Sequence, residues 1–559
     1  MANTDISSLD CEPISSQGFA KLKSKTAKNS ILGNGTELLG LILTLITLAT
    51  FSVSIFKWYS TPGTPIHEWD ENEYYYNAAV FYESPSLKNV WRASRPNFLW
   101  LPTLILKVFQ IPMTPNRISF LTAFLAWALI VYSVFHVSRI LNSHRLSLLF
   151  SIALFFSLPL TFKFSIYILA DLLVAAMFAA LMALALSLIK SKKYENYELL
   201  TFFCVTVFCL ITKPVFLMPI LAIIGLVAIY CFLELSLKLK DKIRVSILLV
   251  AILVVSMLVG HRYKGLISSL YFNNEILGYW APEPGIFSNI LWYPNVLLEN
   301  LCVGHALGLL SLLILFFLTV KTNTNVKCFK PILFMIAPWA LMVVYVSLMI
   351  VSKSLRVFLF LFVFPSIFFP LLLDNTLDQL GRWASICLVI LILMNASIAL
   401  WFTCFDKKDF ILSRRVSLKE RKLVSRENFT MPITFEDAKT FEIGEFIKVD
   451  CLNNKKGCSL SSLRVFLPHS GIINASTFGS YPLLVKNDSK PLSELNPGLP
   501  VDSGLFRYGG WYQAGGIPSS FLNANYIVYY SMISCCQSPT HMELYNRNIL
   551  KMLLKGEKY

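Results

Sequence analysis

The sequence predicts a polytopic α-helical membrane protein with about eleven transmembrane helices, followed by a small extracytoplasmic C-terminal domain of α+β or β-rich character. Three observations carry this expectation. Apolar residues make up 55% of the 559 positions while charged ones make up 15%. Mean hydropathy is +0.60. The apolar residues gather in runs long enough to cross a bilayer, separated by short basic loops. Such a chain is solvated by lipid rather than folded as a soluble globule. The net charge of +16 does not point to nucleic acid, because Lys and Arg sit mostly in those loops, where positive-inside topology accounts for them.

The first 35 residues form a polar cytoplasmic leader with Lys21, Lys23, Lys25 and Lys28, and show no cleavable signal peptide. The run 38–55 reads as a signal anchor. Further spans are expected at 118–140, 146–162, 172–189, 199–211, 215–235, 245–260, 302–320, 332–351, 357–373 and 383–402. If the helices alternate, the leader and the loops holding Arg139/Arg145, Lys190/Lys192/Lys193, Lys238 to Arg244 and Lys321/Lys327/Lys330 share one side. That side is the cytoplasm. The transmembrane domain then covers 36–404 and carries two long outer loops, 59–116 and 261–300.

Within the first outer loop, His67-Glu68-Trp69-Asp70-Glu71-Asn72-Glu73 opens a stretch in which Tyr74, Ala78 and Phe81 recur at helical spacing. This predicts a short helix on the membrane surface. Arg95-Pro96 follows, and the apolar stretch to Ile111 is too short to span, so it reads as a second interfacial helix. The turn 163–171 places Asp171 at an outer helix start, where an acid favoured by the helix dipole is the plain structural explanation. Thr212-Lys213-Pro214 breaks an apolar run at the outer side, and Lys213 reads either as snorkelling to lipid phosphates or as holding one phosphate. The second outer loop brings Arg262 and Lys264, and a last outer turn brings Lys353 and Arg356.

The segment 405–559 changes character. Short β-like runs at 446–449, 463–466 and 526–530 alternate with Gly, Pro, Asn and Ser clusters. Cys451, Cys458, Cys535 and Cys536 permit disulfides, with Cys451 and Cys458 the closer local pair. No spacing of Cys and His matches a structural zinc site.

On residues alone, the outer face carries the acids Asp70, Glu71 and Asp171 and the cations Arg95, Lys213, Arg262, Lys353 and Arg356, whereas the spans are almost free of charge. A secondary transporter more often needs ionisable groups near the bilayer midplane, so the pattern points to chemistry at the outer surface. Carboxylates suit removal of a proton, and Arg suits phosphate through its planar fork. Asp70 followed by Glu73 also fits an ordinary helix start. His67, Glu68, Asp70, Glu71 and Glu73 can in principle bind a divalent cation, but their spacing fits no fixed ligand rule and metal stays open.

Taken in order, Asp70-Glu71 with Tyr75 and Ala78-Ala79, then Arg95-Pro96 with Trp100-Leu101, then Asp171-Leu172-Leu173, then Thr212-Lys213-Pro214 resemble the GT-C superfamily of membrane glycosyltransferases, which includes protein O-mannosyltransferases and the lipid A aminoarabinose transferase. The resemblance covers roughly the first 220 residues, with a weaker echo at Lys353 to Arg356. It implies an inverting transfer of a sugar from a polyprenyl-phosphate donor to a lipid, glycan or protein acceptor outside the cytoplasm. A bacterial inner (plasma) membrane with the site facing the periplasm or exterior is the expected setting. Asp70 becomes the general base, Glu71 or Asp171 orients the acceptor or a metal, and Arg95 and Lys213, with Arg356, hold the donor phosphate. The family often has Lys where this chain has Arg95, and the two are not equivalent at a phosphate. Two other readings stay open on the sequence: a lipid-linked-glycan flippase, and an O-antigen polymerase or ligase.

Overall fold

A computed structural model describes residues 30–59, 69–90, 97–143, 145–190, 196–214, 217–233, 238–264, 326–349 and 359–372, with short pieces elsewhere. Thirteen α-helices and three short strands lie among the described residues. In chain order, α1 is Ser30–Tyr59, α2 Trp69–Glu83, α3 Leu87–Val90, α4 Trp100–Val108, α5 Pro115–Leu141, α6 Arg145–Ser157 and α7 Pro159–Ile166. Then come α8 Asp171–Lys190, α9 Asn196–Thr212, α10 Leu217–Leu233, α11 Leu239–Arg262, α12 Val326–Met349 and α13 Phe360–Leu372. The strands are β1 Val465–Phe466, β2 Val501–Asp502 and β3 Tyr526–Ile527.

By length and composition, four described helices can cross a membrane, and a bent pair adds a fifth. The expected spans 302–320 and 383–402 lie outside the described residues, apart from two helical residues at 393–394. The span expected at 146–162 is broken. Leu158 adopts an extended conformation, Pro159 restarts the chain as α7, and the two pieces bend by 65°. Proline lacks the N–H that a continuous helix needs and clashes with the turn before it. As a consequence, 163–166 belong to a helix rather than to the expected outer turn, which shrinks to 167–170.

The bundle is organised around α8. Its span is 94% buried within the protein, against 28–44% for the other candidate spans. It packs most extensively on α5 and also touches α7, α9, α10, α12 and α13. The sequence explains the close approach, since α8 buries Ala175, Ala176, Ala179, Ala180 and Ala183 while α5 buries Ser119, Thr122, Ala123, Ala126 and Ser133. Lipid tails are as apolar as leucine, so helices in a membrane associate by close packing, and small residues permit it. Thr114 caps α5 by accepting a hydrogen bond from the Arg117 N–H, Pro115 sits at the first helical position, and Asn142 closes the helix in a left-handed conformation (φ 55°).

Every residue of α13 is buried, although Pro365 and Pro370 lie inside it. Pro365 cannot donate to the Leu361 carbonyl four residues back. Two side chains take that place: the Tyr293 hydroxyl donates to the Leu361 oxygen at 2.8 Å and the Trp339 indole N–H at 2.9 Å. Proline is tolerated in a membrane helix when neighbours satisfy the freed carbonyl in this way.

Beyond the bundle, β1 pairs in parallel with both β2 and β3, giving the order β2-β1-β3. Residues 446, 447, 449 and 450 are helical, where 446–449 was expected to be a β-like run. Cys451, Cys458, Cys535 and Cys536 lie outside the described residues.

Candidate functional site

Asp171 stands in the first turn of α8, and its side chain is only 1% exposed. Lys213 follows the last residue of α9, its N–H still bonded to the Cys209 carbonyl at 2.9 Å, and Pro214 prevents a further turn. The Lys213 ammonium donates to Oδ1 of Asp171, and its own side chain is 5% exposed. An ion pair buried to this degree has lost most of its water, so each charge depends on the other.

Hydrogen bonds and ring contacts show what else lies at this end of the bundle. The Tyr59 hydroxyl, at the end of α1, donates to the Ser165 carbonyl at 2.9 Å, and Ser119 Oγ, near the start of α5, donates to the Tyr167 carbonyl at 3.2 Å. The end of α1, the start of α5 and the approach to Asp171 therefore share one level. The Tyr75 and Tyr82 hydroxyls of α2 donate to the Met113 carbonyl at 3.4 Å and the Ile111 carbonyl at 2.9 Å, just ahead of α5. In α4, Trp100 stacks on Phe208, about one turn short of Lys213, with centroids 5.4 Å apart and planes at 12°. A Cβ added to Gly260 would lie 3.4 Å from Leu217 Cδ2, which brings the end of α11 beside the start of α10.

Helices form at both of the expected interfacial stretches, α2 and α4, and pack against each other. Asn97 ties them together. Fully buried, it donates through Nδ2 to the Asn77 carbonyl of α2 at 3.1 Å and accepts the Leu99 N–H through Oδ1 at 3.1 Å, just before α4. Tyr74 meets Phe98 edge to face at 4.8 Å. Burial pushes the Tyr75 phenol upward from its usual value of 10.0, which keeps it a neutral donor.

The range of α2 puts Asp70 and Glu71 in its first turn, and Tyr75, about one turn on, reaches the Met113 carbonyl just ahead of α5. The Asp70 and Glu71 side chains, and Arg95, Lys353 and Arg356, lie outside the described residues. Arg262 ends α11 and is exposed at this rim of the bundle, as is Lys264. Among the predicted site residues, then, the structure joins Asp171 and Lys213 directly and sets the Asp70–Glu71 turn and Arg262 at the same end. The structure gives Lys213 a partner that neither reading of the sequence named, since its ammonium donates to Asp171. Among the described residues no three His, Cys, Asp or Glu side chains gather as a metal site.

Sequence reasoning missed Asn97 and Arg117. Asn97 sits in a stretch read only as basic, proline and aromatic, and Arg117 follows the Pro112/Pro115 turn, where a cation at the outer end of a span was itself a visible signal.

No protein-family model and no curated protein matches this chain. Among solved structures, it is similar to the crystal structure of ArnT from Cupriavidus metallidurans bound to undecaprenyl phosphate, at 14% identity and a TM-score of 0.44, over 65% of this chain and 64% of that one. It is also similar to ArnT from the same organism in the apo state, at 15% identity and a TM-score of 0.38, over 61% and 60%. The chain thus spans somewhat less than two thirds of the length of either.

Proposed function

We propose that this protein is an integral membrane glycosyltransferase that moves a sugar from a polyprenyl-phosphate donor to a lipid, glycan or protein acceptor at the extracytoplasmic surface, with inversion at the anomeric carbon. The observation that carries this reading is the gathering, at one end of a helical bundle, of the buried Asp171–Lys213 pair and the surface helix that opens with Asp70-Glu71.

In this reading the acceptor hydroxyl gives its proton to the Asp70 carboxylate as its oxygen attacks the anomeric carbon. The bond from that carbon to the phosphate oxygen breaks, and the lipid phosphate departs with the electron pair. Arg95 and Lys213, with Arg356, hold that phosphate, and Arg262 and Lys353 add positive charge to the approach. Fixed cations are the larger lever, because the leaving group collects charge in the transition state. A positioned base adds about 10²- to 10⁴-fold. Asp171 fixes the position of the Lys213 ammonium, and Glu71 orients the acceptor.

The test uses the full chain in liposomes with a sugar carried on a polyprenyl monophosphate, following release of the free lipid phosphate. Wild type releases it only when acceptor is present, and Asp70→Asn binds the donor without turnover. Unimpaired function in Asp70→Asn would favour a flippase. Activity only on pyrophosphate-linked donors would favour a polymerase or ligase.

A further inference from the structure

A second feature of the rim lies outside this chemistry. Between α1 and α5 is a cavity of about 550 Å³, open along one side and floored by Phe51, Tyr59, Phe120 and Trp127. The rings are locked against one another: Phe51 meets Trp127 edge to face at 5.2 Å, and Tyr59 meets Phe120 edge to face at 5.5 Å. Its open side belongs to the bilayer, since Phe56 is 74% and Phe120 45% exposed. Asn116 and Arg117 stand at one end, in the first turn of α5. Arg117 is exposed, and one arm of its guanidinium is pinned by donation to the Pro112 carbonyl at 2.9 Å. A guanidinium carries five N–H donors in a rigid fork, so pinning one arm fixes the direction in which the rest can donate.

The volume falls within the roughly 300–1,000 Å³ typical of small-molecule sites. Apolar aromatic walls below a fixed cation at the end of a span complement a lipid with a hydrocarbon chain and an anionic head. The reacting donor is a poor candidate for this position. Tyr59 bonds to Ser119 (3.0 Å) and to the Ser165 carbonyl, and Trp127 donates to Ser165 Oγ at 3.0 Å, so a hydrogen-bonded wall stands between the groove and the segment leading to Asp171.

We infer that this groove is a binding site for an anionic glycerophospholipid, one acyl chain lying on the Phe51, Phe120 and Trp127 rings and the phosphate held by Arg117 and Asn116. The inference stands independently of the transfer reaction proposed above. A lipid held there bridges α1 and α5 at the rim.

Native mass spectrometry of the detergent-purified full chain tests this, with phosphatidylglycerol, phosphatidylcholine or polyprenyl phosphate added back. One phosphatidylglycerol is expected to be retained in preference to phosphatidylcholine. Arg117→Gln lowers that preference by about fivefold, and Ser52→Trp, which fills the groove from an exposed position, abolishes retention. Both positions are exposed, so both variants are expected to fold. Equal retention of the two phospholipids, retention unchanged in both variants, or displacement of phosphatidylglycerol by polyprenyl phosphate at an equal concentration would each overturn the assignment.

Discussion

Lys213 donates to Asp171 across 42 positions of sequence, tying the end of α9 to the start of α8 inside a bundle whose spans are nearly free of charge. Both side chains are buried, so each charge is stabilised by the other.

Removing one partner should therefore cost more than removing both. Lys213→Met and Asp171→Leu are each expected to destabilise the protein by about 3–5 kcal/mol, whereas the double variant recovers much of that loss. Thermal unfolding in detergent reads the difference. Single and double losses that simply add would mean that the pair is not coupled.

Asp70 lies in the first turn of α2, where a carboxylate stabilises a helix by about 0.3–1 kcal/mol through the dipole alone. Asp70→Asn is thus expected to leave the melting temperature nearly unchanged while cutting sugar transfer by about 10²- to 10⁴-fold. A variant that melts normally and turns over normally would reduce Asp70 to a helix-start residue.

Asn97 accepts the buried Leu99 N–H and adds a side-chain donor to the Asn77 carbonyl of α2. Asn97→Ala leaves the Leu99 N–H buried without that acceptor, at about 1–3 kcal/mol, and removes the link to the Asn77 carbonyl. Limited proteolysis should then cut the surface layer of α2 and α4 before the bundle. Unaltered cleavage kinetics would show that the two surface helices are held by packing alone.

The Leu361 carbonyl, freed by Pro365, takes hydrogen bonds from Tyr293 and Trp339. Either Tyr293→Phe or Trp339→Phe keeps one donor and is expected to be mild, while the double variant orphans the carbonyl. The combined loss should exceed the sum of the singles, measured as a double-mutant cycle on unfolding. Restoring the backbone donor with Pro365→Ala should relieve it.

Much of the bundle was legible because a membrane span is a one-dimensional property. Runs of apolar residues of sufficient length, and the spacing of Tyr74, Ala78 and Phe81, anticipated α5 and α8 to within about three residues and the central parts of α1, α11 and α2. The break at Pro159 was harder to see, because the apolar run continues through it and only the missing N–H marks the bend. The helical residues 446, 447, 449 and 450 went the other way, a short apolar run fitting either period.

For the site, sequence determined which carboxylates and cations flank the apolar runs. It could not determine their partners. Pairing Asp171 with Lys213 depends on how α8 and α9 pack, and α8 sits at the centre because its alanines let neighbouring helices come close, which no local pattern encodes. Hydropathy decides that a residue leaves water for lipid; only the tertiary contacts decide which opposite charge it meets there, since that choice is made by chain segments distant in sequence.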